Sequence, residues 1–217
     1  MTNGYTQSLQ KAAIVGIAGA AATSTGGLLV QAVVQPATDV PDDRWSYPWS
    51  SSALVPVSLL WACLHVLVFI AVLGFARSRL VGTSRIARVG VVLALAGTAL
   101  LFVGELASIA VRHEHIHNTG AEIVGTVFGV AILLTAAGFL AAGIGTLRAR
   151  LWHGWRRYTP LAVGVWNTAL LGLNTTKALP TGVAVYGLCV LALAIALYTQ
   201  PTPEPAETPL IVQEQPA

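Results

Sequence analysis

Apolar residues run along this chain in long unbroken blocks, not in the alternating or three-and-four spacing of a half-buried element. A helix needs about 20 apolar residues to cross a hydrocarbon core of about 30 Å. Six blocks fit that requirement: 12–34, 54–76, 89–111, 121–147, 159–175 and 180–199. The fifth is the shortest and is diluted by Asn167 and Asn174, with Lys177 just beyond it. Strands of a membrane barrel would alternate over about ten residues, so continuous runs predict helices. The expected fold is all-α, a polytopic bundle of six transmembrane helices over residues 1–199.

Start signals agree with these edges. Ser50, Ser51 and Ser52 offer N-caps before the second block. Thr159-Pro160 and Pro180 put proline in the first turn of the fifth and sixth. Thr119-Gly120-Ala121-Glu122 has the Thr-x-x-Glu spacing of a capping box at the start of the fourth. After Gln200 the chain changes character, with five prolines and three glutamates up to Ala217. Such a segment cannot bury a core, and a disordered cytoplasmic tail over 200–217 is expected.

Composition sharpens the class. Of 217 residues 55% are hydrophobic and 10% charged, against about 25% charged in soluble domains. Charge this sparse excludes a soluble enzyme, a disordered chain and a disulfide scaffold. Cys63 and Cys189 lie singly inside apolar blocks and read as small apolar fillers.

The charges report orientation. Nine of the twelve Lys and Arg fall on one side of the expected spans: Lys11, four arginines in loop 77–88 and four in loop 148–157. The other side carries Arg44, Arg112 and Lys177 beside Asp39, Asp42, Asp43 and Glu114. The positive-inside rule then puts both termini in the cytoplasm, the parity six spans require, and the expected location is the plasma membrane. The net charge of +3 is thereby explained without a nucleic-acid partner. Trp45, Tyr47 and Trp49 on one side and Trp152, Trp155 and Tyr158 on the other match interfacial aromatic belts. A second reading of the N-terminus, as a signal peptide cut near Val30-Gln31-Ala32, fits less well. Its apolar run exceeds the usual signal core of about 7–15 residues.

Small residues recur at helix-contact spacing: Gly16 with Ala20, Gly19 with Thr23, Thr23 with Gly27, Gly97 with Gly104, Gly125 with Gly129, and Gly164-Thr168-Gly172. They predict a compact bundle with a lipid bilayer around it, and either a homodimer or a partner membrane subunit on a glycine face.

Two polar groups carry candidate chemistry. His65 lies near the middle of the second block and Glu105 in the outer half of the third, and ionisable groups in hydrocarbon face the bundle interior by default. Ser58, Trp61 and His65 share one stripe, and Thr98, Glu105 and Arg112 another. His65 and Glu105 would exchange a proton or bind a solute, with Arg112 at the mouth; the alternative is a structural tie from Glu105 to Arg112, to Ser108 or to a neighbouring helix. The second group is the outer run His113, Glu114, His115 and His117. Its histidines could bind Zn or Cu with Glu114 or an Asp from 39–43, sense pH, or be a solvated loop without metal. No His-Glu-x-x-His, Gly-x-Ser-x-Gly or phosphate-binding glycine loop is present. Asn174-Thr175-Thr176 matches a glycosylation acceptor.

The segment Pro41-Asp42-Asp43-Arg44-Trp45-Ser46-Tyr47-Pro48-Trp49-Ser50, running into Trp61 and His65, resembles small multi-pass membrane proteins of actinobacteria, as does Gly104-Glu105-Leu106-Ala107-Ser108. That resemblance implies location and no activity. Three functional readings stand: a non-enzymatic membrane component or subunit, a small-solute or proton-coupled transporter using His65 and Glu105, and a membrane enzyme with an external histidine metal site. A continuous polar path through His65, Glu105, Thr98, Thr126 and Asn167 would favour transport, and a tightly packed interior would favour the first.

Overall fold

The computed structural model describes residues 2–173 and 176–200, and side chains from residue 7 onward. The expected tail after Gln200 and the Asn174-Thr175 part of the glycosylation pattern lie outside the described residues. Six α-helices follow in order: α1 (Thr2–Leu29), α2 (Ser51–Arg77), α3 (Arg85–Ala110), α4 (Thr119–Ala149), α5 (Thr159–Leu173) and α6 (Leu179–Tyr198). α1 continues as a π-helical turn, Val30–Val34, and a short 3-10 turn, Gln35–Ala37. Among the described residues no strand is present beyond a single bridge between Arg44 and His115.

Five helices are long and apolar enough to cross a membrane: α1 with its extension to Ala37, α2, α3, α4 and α6. α5 is a helix where one was expected, but its 15 residues amount to roughly 22 Å, short of a full hydrocarbon core. Its first residue, Thr159, bonds to the carbonyl of Arg156 at the basic end. Lys177, four residues past its last turn, pairs with Asp42 at the other.

The helices form a closed ring in chain order, each packed on its sequence neighbours and α6 returning to α1. Missing Cβ atoms allow the closest approaches. A Cβ at Gly90 or Gly138 would overlap the facing backbone across α3 and α4. Gly97 and Gly104 face α4 together, against Thr135 and Phe128. In α1, Gly16 and Gly19 lie on Ala71 and Leu67 of α2, and Gly27 lies on Pro180 and Ala184 of α6. Lipid supplies no hydrophobic drive between helices, so this backbone contact is what holds the ring. Gly129 and Gly172 meet nothing within 4 Å and play no part in it.

Side chains fill the ring. Phe75 of α2 stacks on Phe139 of α4, and Trp152 stacks on Phe75. Val68, Val163, Val190 and Leu193 are buried around them. Trp152, 3% exposed, is therefore a core residue and departs from the interfacial belt expected for it. Trp155 and Tyr158 are half exposed, as a belt requires.

Two helix starts deserve comparison. Ser50 caps α2 as expected, its hydroxyl accepting from the amide of Ala53 at 3.2 Å. The capping box at Thr119 does not form. The N-cap is Asn118, with no side-chain cap bond, and Glu114 Oε2 instead accepts from the amide of Ala121 at 3.1 Å. A carboxylate at a helix N-terminus satisfies an orphan amide and complements the helix dipole. Gly120 leaves room for it, since a Cβ there would stand 2.7 Å from that oxygen.

Candidate functional site

His65 and Glu105 meet in the seam between α2 and α3. His65 Nε2 lies 3.5 Å from Glu105 Oε1, with side chains 11% and 16% exposed. That separation is long for a hydrogen bond. The contact joins positions at unequal distances from the facing helix ends. His65 is fourteen residues from the start of α2 and Glu105 five from the end of α3. Level ends would leave the two Cα positions roughly 13 Å apart in depth.

Arg112 is not part of this contact. Its guanidinium donates to the carbonyl of Ile109 at 2.7 Å and closes the C-terminal turn of α3. Ser108 also turns away, donating to the carbonyl of Gly104 at 3.0 Å. Neither ties to Glu105, and the partner Glu105 meets is on the neighbouring helix α2.

Ser24 of α1 donates to the carbonyl of Ala184 of α6 at 2.9 Å, and Trp166 Nε1 of α5 to that of Gly182 of α6 at 2.7 Å. Several other polar residues of the spans bond back to their own helices. Thr98 donates to the carbonyl of Ala94, Thr135 to Ala131, Thr146 to Ala142 and Asn167 to Val163, at 2.8 to 2.9 Å. Such bonds satisfy a buried polar group without presenting it to a neighbour. Thr126 is exposed and donates to the carbonyl of Glu122. Thr98, Asn167 and Thr126 therefore do not extend the His65–Glu105 contact into a polar path.

The loops joining α1 to α2 and α3 to α4 form a bonded cap. The amide of Trp45 donates to the carbonyl of Glu114 at 3.0 Å, and the amide of Ile116 to the carbonyl of Asp43 at 2.8 Å. His115 Nδ1 sits 2.9 Å from Asp43 Oδ2, and Arg44 donates to the carbonyl of His113 at 3.2 Å. An Asp from 39–43 thus does meet the histidine run, at one position. His113 and His117 are exposed, and Glu114 is engaged at the start of α4. Among the described residues no three His, Cys, Asp or Glu side chains gather in a group that could hold a metal ion.

Lys177 Nζ lies 2.9 Å from Asp42 Oδ2 and ties the turn before α6 to the same cap. The hydrogen bond from Lys177, and then its charge, hold the Asp42 carboxyl below its ordinary 3.8. Reciprocally, the hydrogen bond to Asp42 and then its charge raise Lys177 above 10.5. Sequence reasoning missed this pair and the capping role of Glu114. Neither partner lies within a helical turn of the other, so no local spacing announces them.

No known protein family, curated protein or solved structure matches the chain.

Proposed function

We propose that this chain is a non-enzymatic component of a bacterial plasma membrane, built from six crossings with both termini in the cytoplasm. α5 is the short sixth crossing, supported by its attachment to opposite ends of the ring through Thr159 and Lys177. The close seating of α1 on α2 and α6 supports its retention as a span. The observation that carries the functional reading is the filled ring interior, where Phe75, Phe139 and Trp152 stack, the hydroxyls of Thr98, Thr135 and Thr146 bond to their own helices, and that of Ser24 bonds across to α6. A bundle closed in this way suits a subunit or scaffold better than a conduit.

The specific observation favouring a second reading is the contact of His65 with Glu105 within the spans. Intramembrane ionisable pairs serve proton relays in transporters. Reconstitution into vesicles carrying an internal pH dye separates the two. The scaffold reading expects proton flux no greater than in empty vesicles, both for the intact chain and for Glu105→Gln. Flux in the intact chain that Glu105→Gln abolishes would replace it with proton-coupled transport. Cross-linking in native membranes tests the subunit role, with a homodimer or a membrane partner as the expected product.

A further inference from the structure

At the basic end of the ring, α1 and α2 part to leave a cleft of about 280 Å³. Leu9 and Ala12 of α1 and Ile70 and Leu73 of α2 wall it, and Arg77 and Arg79 stand at one end. Below the arginines the two helices stay close because residue 74 is glycine; a Cβ there would lie 2.9 Å from that of Ala12. Seven residues separate Ile70 from Arg77, so the groove runs roughly 10 Å from a cationic mouth to an apolar floor. Arg79 holds a left-handed φ of 60°, at the end of a helix where glycine is the usual choice.

A groove with cations at the end of α2 and apolar walls further along it matches one ligand chemistry. We propose that the α1–α2 cleft binds an anionic glycerophospholipid, with its phosphate at Arg77 and Arg79 and an acyl chain along Leu9, Ile70 and Leu73. Charge complementarity selects the anionic class. A zwitterionic lipid carries its own ammonium beside the phosphate, and basic sites between membrane helices favour net negative headgroups. The apolar walls select the lipid over a free phosphate, which would leave them uncovered. The inference needs the chain to lie in a bilayer and does not depend on whether it scaffolds or transports.

Native mass spectrometry of the detergent-purified full chain tests it, with phosphatidylglycerol, phosphatidylcholine and glycerol 3-phosphate added in separate arms. Phosphatidylglycerol should be retained roughly tenfold or more over phosphatidylcholine, as two arginines at the surface would confer. The double variant Arg77→Gln, Arg79→Gln should bring retention down to the phosphatidylcholine level. Leu73→Trp should do the same by filling the groove while keeping both arginines. Arg85→Gln with Arg148→Gln removes the same charge from exposed positions elsewhere at that end and should leave retention unchanged. Equal retention of the two lipids, equal loss in the Arg85 and Arg148 variant, or full competition by glycerol 3-phosphate would each overturn the site.

Discussion

Phe75 of α2 stacks on Phe139 of α4 with ring centroids 6.4 Å apart and planes inclined by 18°. The two helices are not neighbours in the ring, so this stack spans its interior. Trp152 continues it at 6.0 Å from Phe75. Aromatic pairs in this geometry add dispersion and quadrupole attraction that lipid cannot replace inside a closed ring. Phe139→Ala should lower stability by about 3 kcal/mol, read as a fall in melting temperature in detergent. A variant that melts like the parent would mean the ring interior is not packed as described.

The glycines make a sharper test because their neighbours differ. Gly138→Leu should cost about 1–3 kcal/mol or prevent folding, since its side chain would enter the backbone of α3 at Ala94. Gly129→Leu, with open space around it, should stay within about 0.5 kcal/mol of the parent. Equal effects at the two positions would contradict the α3–α4 interface.

Coupling between His65 and Glu105 is measurable without knowing any ligand. Single and double substitutions, His65→Ala and Glu105→Gln, should be non-additive in thermal stability by about 0.6 kcal/mol, the average for polar contacts between membrane helices. Strict additivity would place no energy in the contact, whatever its distance.

At the start of α4, Glu114→Ala should destabilise by about 0.5–2 kcal/mol through the lost cap of that helix. Glu114→Gln keeps an acceptor for the amide of Ala121 and loses only the charge, so its effect should be smaller. Amide exchange over the first turn of α4 locates the change, and protection there unaltered in Glu114→Ala would remove the carboxylate from the cap.

The Asp42–Lys177 tie has a defined pH window. Asp42 is held below 3.8 by Lys177, so its contribution is full above that value and is lost as pH falls through the lowered one. Lys177 is raised above 10.5 by Asp42, so its contribution is full below that value and disappears as pH rises through the raised one. Between about pH 5 and about pH 9 the pair should therefore add no pH dependence to the melting curve. Both groups are exposed, so Lys177→Met should have a small effect that shrinks further in high salt. A strong pH slope within that window, abolished by Lys177→Met, would contradict these assignments.

Much of the helix layout was legible in consecutive residues. Run length, Ser50 before α2 and Pro180 in the first turn of α6 act within one element, and their effect needs no partner from elsewhere. The shortness of α5 was visible in its diluted block. The candidate pair was legible as two stripes bearing His65 and Glu105, because a helix repeats its face every three or four residues. Their register was not, because depth counted from helix ends assumes ends that are level. Arg112 shares the stripe of Glu105 and still turns to Ile109, since an arginine at a helix end satisfies a nearer carbonyl first.

Membership of the all-helical, apolar class and the partition of basic residues between two ends follow from the order of residues along the chain. Both depend on solvation of each segment by itself. Closure of the ring, the burial of Trp152, the engagement of Glu114 by α4 and the salt bridge from Asp42 to Lys177 depend on which surfaces meet. Those contacts join residues far apart in the chain, and their free energy exists only once the intervening helices have packed.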